Sequence, residues 1–268
     1  MNLGYVLENF GDSLNPDSLV ETAQMAEDHR FSSIWATDHV LPPINNPFPQ
    51  YNNITEAITT ISYLAGITSK ISLGVSTLVL TRRHPILVAK QIANLDYLTK
   101  GRILISFGAG LTSGEFEFMD QSFSNRGKRF DEGLEVVKSL WEGKHTFHGN
   151  YYTFTEACFK PLPHNSRKIP IWVAGNSKFA LERALKRANG WHPTSMQAED
   201  IKAMIEPYRK SLLENEFTIA VRISVNGESD LSHEIQGYEN NNVDYLLLKI
   251  LGGKKTKKRI FAELSSYT

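Results

Sequence analysis

Short runs of Val, Ile and Leu alternate along the chain with longer stretches whose apolar residues recur every three or four positions. The first pattern suits a buried strand and the second an amphipathic helix. "NLGYVL" (2–7) precedes a helix that starts at Asn15-Pro16. Asn caps the free N–H groups there, and Pro needs no donor at the first helical position. Leu19, Ala23 and Ala26 carry that helix on at helical spacing. "SIWAT" (33–37) precedes a helical stretch at 54–69. "ISLGVST" (71–77) precedes a helix from Pro85, with Val88, Ile92 and Leu95 on one face and Gly101 at its stop. "RILISFG" (102–108) leads into 125–142, and "IPIWVAG" (169–175) into 177–188. Gly190-Trp191-His192 predicts a very short strand before a helix at 197–214. "FTIAVRISV" (217–225) alternates with period two before a helix at 231–240, and "VDYLLLKI" (243–250) precedes a last helix at 255–266.

These are eight strand–helix units of about 33 residues each, the spacing of βαβ repeats. Most of the strands are continuously apolar, as parallel strands covered on both faces must be. Eight units predict an α/β fold of the (β/α)8 TIM barrel type, as one domain over 1–268. A doubly wound sheet would call for G-x-G-x-x-G after the first strand, and "LENFGDS" lacks it. Two segments interrupt the repeat. Residues 109–123, "AGLTSGEFEFMDQSF", form a long loop at the C-terminal end of the fourth strand. Residues 144–166 contain Thr146-Phe147 and Tyr151–Phe154 around His148-Gly149-Asn150, which predicts a β-hairpin insertion on the opposite face.

Composition narrows the partners. Lys plus Arg and Asp plus Glu both number 29, so nothing points to nucleic acid or an anionic membrane. The run Lys254–Arg259 reads as a solvated helix face. The single cysteine, Cys158, excludes an intrachain disulfide. No apolar stretch has the length of a membrane span, and the N-terminal residues do not resemble a signal peptide, so a cytoplasmic location is expected. No metal is expected.

Four strand ends carry the candidate chemistry. "SIWATDHV" (33–40) is an apolar strand that stops on Asp38 and His39. Alone this is a strand end reaching water; on a barrel it lies at the face where polar strand ends are catalytic. A carboxylate beside an imidazole can fix its tautomer and raise its basicity. The next strand ends at Ser76-Thr77, the fourth in Gly108-Ala109-Gly110 and the fifth in Gly175-Asn176-Ser177 at a helix start. One such turn is a tight turn with an N-cap. Several around one mouth favour a bound, phosphorylated, planar cofactor, whose backbone approach needs small residues and whose phosphate suits a helix N-terminus.

Residues 1 to about 215 resemble the bacterial-luciferase-like flavin and deazaflavin enzymes. The resemblance rests on "SIWATDHV", "LGVSTLVLTRRHPILVAKQIANLDYLTKGRILISFGAG", "RFDEGLEVVKSLW" and "IPIWVAGNS…ANGWHP". It implies a (β/α)8 barrel that binds FMN or coenzyme F420 at its C-terminal mouth. It implies a non-prolyl cis peptide between Ser76 and Thr77, forming a bulge behind the ring. Ala109-Gly110 and Gly175-Asn176-Ser177 would hold the phosphate end. Asp38 would contact the polar ring edge and His39 would work beside the hydride-transfer centre. Two positions depart from the family pattern. Leu111 stands where the sugar-phosphate dehydrogenases of the deazaflavin branch carry a glutamate, and "N-G-W" (189–191) replaces "D-G-W". The expected function is a deazaflavin-dependent oxidoreductase acting on a small organic substrate. An FMN-dependent monooxygenase and a non-enzymatic flavin-binding barrel stay open as alternatives. A homodimer is expected.

Overall fold

The computed structural model describes residues 1–214 and 216–267. Eight parallel strands close into a barrel in chain order. They are β1 (Asn2–Val6), β2 (Ser33–Ala36), β3 (Ser72–Val79), β4 (Ile103–Gly108), β7 (Ile171–Ala174), β8 (Gly190–His192), β9 (Thr218–Val225) and β10 (Tyr245–Ile250). β10 pairs with β1, Asn2 opposite Tyr245, to complete the ring. The two remaining strands, β5 (Phe147–His148) and β6 (Thr153–Phe154), form the expected antiparallel hairpin.

The outer helices are α1 (Pro16–Asp28), α2 (Ala57–Ala65), α3 (Pro85–Leu98), α5 (Arg126–Trp141), α6 (Lys178–Arg187), α7 (Ala198–Ile205), α8 (Arg209–Glu214), α9 (Leu231–Asn240) and α10 (Lys254–Leu264). The stretch expected as one helix at 197–214 is broken. A 3-10 turn, Glu206–Tyr208, separates α7 from α8, because Pro207 has no N–H to continue the ladder. The stretch 54–69 shortens to α2, capped by Glu56, whose carboxylate accepts from the Thr59 N–H. The loop 109–123 folds a short helix of its own, α4 (Gly114–Phe118).

Side chains segregate into two cores, as alternation along barrel strands requires. Val6, Trp35, Trp172, Ala220 and Leu247 point inward and fill the barrel. Trp35 and Trp172 stack at 5.1 Å between ring centroids. The larger core lies between strands and helices, around Ile34, Leu73, Ile105, Val173 and Phe261. At the N-terminal end, Glu27 accepts from the N–H groups of Ser69, Lys70 and Ile71 and ties α1 to the start of β3. Asn189 accepts from the Ile171 N–H at 3.1 Å, so its amide oxygen anchors β7 without a charge. Glu132 of α5 grips the hairpin by accepting from the N–H groups of Asn150, Tyr151 and Tyr152. Among the described residues no helix is long and apolar enough to cross a membrane.

Candidate active site

Parallel closure brings the ends of β2, β3, β4 and β7 to one mouth, so Asp38, Ser76, Ala109 and Gly175 share a face as expected. There the neighbours Asp38 and His39 turn apart. The Asp38 side chain is 0% exposed. Its carboxylate accepts a bidentate pair from Arg83 at 2.7 and 2.8 Å, a third bond from Arg82 at 3.2 Å and the Val79 N–H at 2.9 Å. Burial opposes that charge, but the two guanidiniums and the Val79 N–H outweigh it and hold the carboxyl below its usual range. Asp38 therefore does not orient His39, contrary to expectation. Its carboxylate is engaged by Arg82, Arg83 and β3, and it organises the wall of the mouth.

The carboxylate that does meet His39 is Glu115, on α4. Its Oε2 lies 3.0 Å from His39 Nδ1, and its Oε1 accepts from the Val40 N–H at 2.9 Å. Arg82 pairs with the same carboxylate. Burial of this 1%-exposed side chain raises its pKa, yet the His39 hydrogen bond and the Arg82 charge hold it down at about 2. An ionised acceptor at Nδ1 fixes the proton there, and Nε2 has no partner among the described residues. Tyr51 stacks on the imidazole, with centroids 4.4 Å apart and planes 21° from parallel. Leu111, at the position of the family glutamate, is 80% exposed. The carboxylate that meets His39 lies four residues further on, at Glu115.

The other expected residues are held as follows. The Ser76-Thr77 peptide is cis, and the pairing of β3 with β4 shifts register between Val75 and Leu78. Ser76 Oγ donates to His192 Nε2 at 2.7 Å, while His192 Nδ1 donates to the Ala220 carbonyl at 2.8 Å. Burial, with Arg222 nearby, pulls the pKa of His192 down to about 4, so it is neutral. Thr77 Oγ1 lies 3.3 Å from Ser106 Oγ. The Ala109 carbonyl accepts from Thr81, and the Gly110 carbonyl from Arg126. Gly110 has φ +87°, and a Cβ there would fall 2.6 Å from the Phe116 ring. Gly175 has φ +135° and a Cβ would meet that of Ala180 at 2.9 Å. Asn176 exchanges hydrogen bonds with both backbone groups of Thr194, and Ser177 caps α6 by accepting from the Ala180 N–H. These contacts are those of a tight turn with an N-cap.

Comparison with known proteins adds the family. The description "luciferase-like monooxygenase" fits residues 1–228. The chain belongs to this luciferase-like family. Among its luciferase-like relatives is a flavin-dependent trigonelline monooxygenase oxygenase component of Acinetobacter baylyi, 28% identical over 191 residues, 69% of this chain and 50% of the relative. Another is an F420-dependent glucose-6-phosphate dehydrogenase of Kineococcus radiotolerans, 28% identical over 208 residues, 75% of this chain and 58% of the relative. The monooxygenase RslO1 of Streptomyces bottropensis shares the fold, with a TM-score of 0.82 at 16% identity over 99% of this chain and 98% of that one. The chain spans about half to just under two-thirds of the curated luciferase-like relatives that it first matches.

Sequence reasoning missed Glu115, Arg82, Arg83, Tyr51 and Arg222. Two signals were readable. "TRRH" places adjacent arginines directly after β3, and Arg222 interrupts an apolar strand at a position sharing the inward parity of Ala220.

Proposed function

We propose that this chain is a deazaflavin-dependent oxidoreductase that moves a hydride between coenzyme F420 and a small organic substrate. The observation that carries this is His39, held at the mouth by Glu115 through Nδ1, with Nε2 left for a substrate oxygen or nitrogen. The surrounding residues fit a phosphorylated planar group. At Gly110 and Gly175 a Cβ would press on Phe116 and Ala180, so the absence of one keeps both turns tight against the mouth. α6 offers its first N–H groups beside Asn176 and Ser177. The buried Thr37 hydroxyl, inward by strand alternation, lacks a partner among the described residues. In this reading Ser76 and Thr77 back the ring. The coenzyme supplies the ring position that takes or gives the hydride. His39 then gives or takes the matching proton at Nε2, a contribution of typically 10²–10⁴-fold.

A second reading, an FMN-dependent monooxygenase using reduced flavin and oxygen, is favoured by the Acinetobacter baylyi relative at the same identity. Absorbance and mass spectrometry of the bound chromophore, with parallel titrations of F420 and FMN, separate the two. F420 is expected to bind at least tenfold tighter. Tighter FMN binding overturns the first reading. Gly175→Asp is expected to weaken coenzyme binding at least about a hundredfold, by charge and by volume at the phosphate turn. His39→Ala is expected to lower turnover of a panel of small ketones and imines about 10²–10⁴-fold while coenzyme affinity stays within about threefold. Full turnover in that variant assigns His39 a structural role.

The reading includes a homodimer in the cytoplasm. Tyr63, Leu87, Tyr97 and Leu98 expose apolar surface on α2 and α3. In the groove between these helices, the side-chain oxygens of Gln91 and Asn94 lack partners among the described residues. A single-chain mass in light scattering at micromolar concentration overturns the dimer.

A further inference from the structure

Inside the mouth, β9 and β10 place two cations side by side. Arg222 stands in register with Leu247, and Leu247 and Ala220 belong to the inward-facing core, so Arg222 points into the barrel. Lys249 is two residues above Leu247 and shares that parity. Arg222 is only 8% exposed. A guanidinium has five donor hydrogens. Here one nitrogen donates to the Ser76 carbonyl at 2.7 Å, and the Tyr51 hydroxyl faces the same group. Among the described residues no carboxylate pairs with it. His192, the other titratable group beside it, is neutral and spends both ring nitrogens on Ser76 and Ala220. Lys249 lies over the Phe10 ring, 4.8 Å from its centroid. Glu8 is the carboxylate nearest in effect, and it is already paired with Lys257 of α10. Burial pulls both cations below their ordinary range, and they repel each other.

A buried cation without a counter-ion is expensive to hold, and a fold tolerates it where a ligand completes the site. Arg presents a planar fork that matches a carboxylate or another planar oxyanion. Tyr51 faces Arg222 with its hydroxyl and stacks on His39 with its ring, so one side chain links the two groups. We propose that Arg222, with Lys249, is the receptor for an acidic group on the substrate, so that the chain acts on a small organic acid. In this arrangement the acid group takes the face of Arg222 now covered by the Tyr51 hydroxyl. The proposal rests on the oxidoreductase reading only for what happens next to the anchored acid. The anchoring itself does not need it.

The test is calorimetric titration of the coenzyme-loaded protein with benzoate and with benzamide, two molecules of one shape that differ in charge. Benzoate is expected to bind at least tenfold tighter than benzamide. Arg222→Met is expected to remove that preference and Lys249→Met to reduce it at least threefold, while benzamide and coenzyme affinities stay within about threefold. Equal binding of the two molecules to the unaltered protein overturns the proposal, and so does a preference that survives Arg222→Met. If Arg222→Met does not fold, the wild-type ratio and Lys249→Met decide: a tenfold ratio that Lys249→Met lowers supports the receptor, and any other result overturns it. Failure of both coenzymes to bind overturns the oxidoreductase reading alone, and the benzoate comparison on the unloaded protein still decides the receptor.

Discussion

On the β2–β3 side of the mouth, the carboxylates of Asp38, Glu56 and Glu115 meet the guanidiniums of Arg82 and Arg83 within hydrogen-bonding distance. On the β9–β10 side, Arg222 and Lys249 share the interior while Glu8 is drawn off to Lys257. On the first side every charge has an opposite charge from within the chain, although the buried Arg82 Nε lacks a partner among the described residues, and these pairs hold β3, α2 and α4 in place. The second is left incomplete. A buried, closed ion network mainly fixes geometry, whereas an open one keeps binding capacity in reserve. His39 stands at the boundary, oriented from the closed side by Glu115 and covered from the open side by Tyr51.

The largest way to break this contrast is Asp38→Ala. It strips Arg83 of its bidentate partner and leaves the Val79 N–H unpaired, so stability should fall by about 3 kcal/mol. Urea unfolding measures this, and a loss below about 1 kcal/mol would show that the closed side does not hold the fold.

A second, smaller effect is read by pH. The folded pKa of His192 is depressed to about 4 from an unfolded value near 6.5. The unfolded chain therefore binds the proton first as pH falls, and the stability present above about 6.5 is lost on the way down to 4. Between pH 7 and pH 5 the loss should be about 2 kcal/mol. His192→Asn should flatten that slope. The closed side answers lower: Glu115 and Asp38 are both depressed, so their contribution is present above about 4.5 and is lost as pH falls towards 2. A single transition confined below pH 4 in urea titrations would place the acid-sensitive group on the wrong side of the mouth.

The smallest effect sharpens the comparison in the other direction. Lys249→Met removes a desolvated cation that Arg222 repels. Melting should show stability unchanged or raised by up to about 1 kcal/mol. A loss above that amount would mean that Lys249 is satisfied within the fold.

The barrel was legible because strand and helix periodicities are local and repeat eight times. The mouth was half legible. Positions such as Gly175 and Ser76-Thr77 were readable from strand ends, since a parallel barrel sends all its strand ends to one face. Partners were not. Adjacency in "TDHV" suggested that Asp38 serves His39, but consecutive residues beyond a strand end point to opposite sides, and each found a partner more than 40 residues away. Glu115 sat in a loop whose short helix, α4, has too few residues for a periodic signal. Leu111 drew attention to one position, while the carboxylate that meets His39 stands four residues further along, at Glu115.

The stacked indoles of Trp35 and Trp172 lie beneath His192, with Trp35 facing that imidazole at 6.3 Å, and Trp191 donates to the Gly175 carbonyl at 2.7 Å. Three of the four tryptophans thus surround the floor of the mouth. The barrel is consequently its own optical gauge. A yellow chromophore seated above them absorbs where indoles emit, so energy transfer should dim the ultraviolet fluorescence of the protein as the mouth fills. Colourless occupants should leave most of that light in place, so dimming alone tells a coloured occupant from a colourless one, without labels.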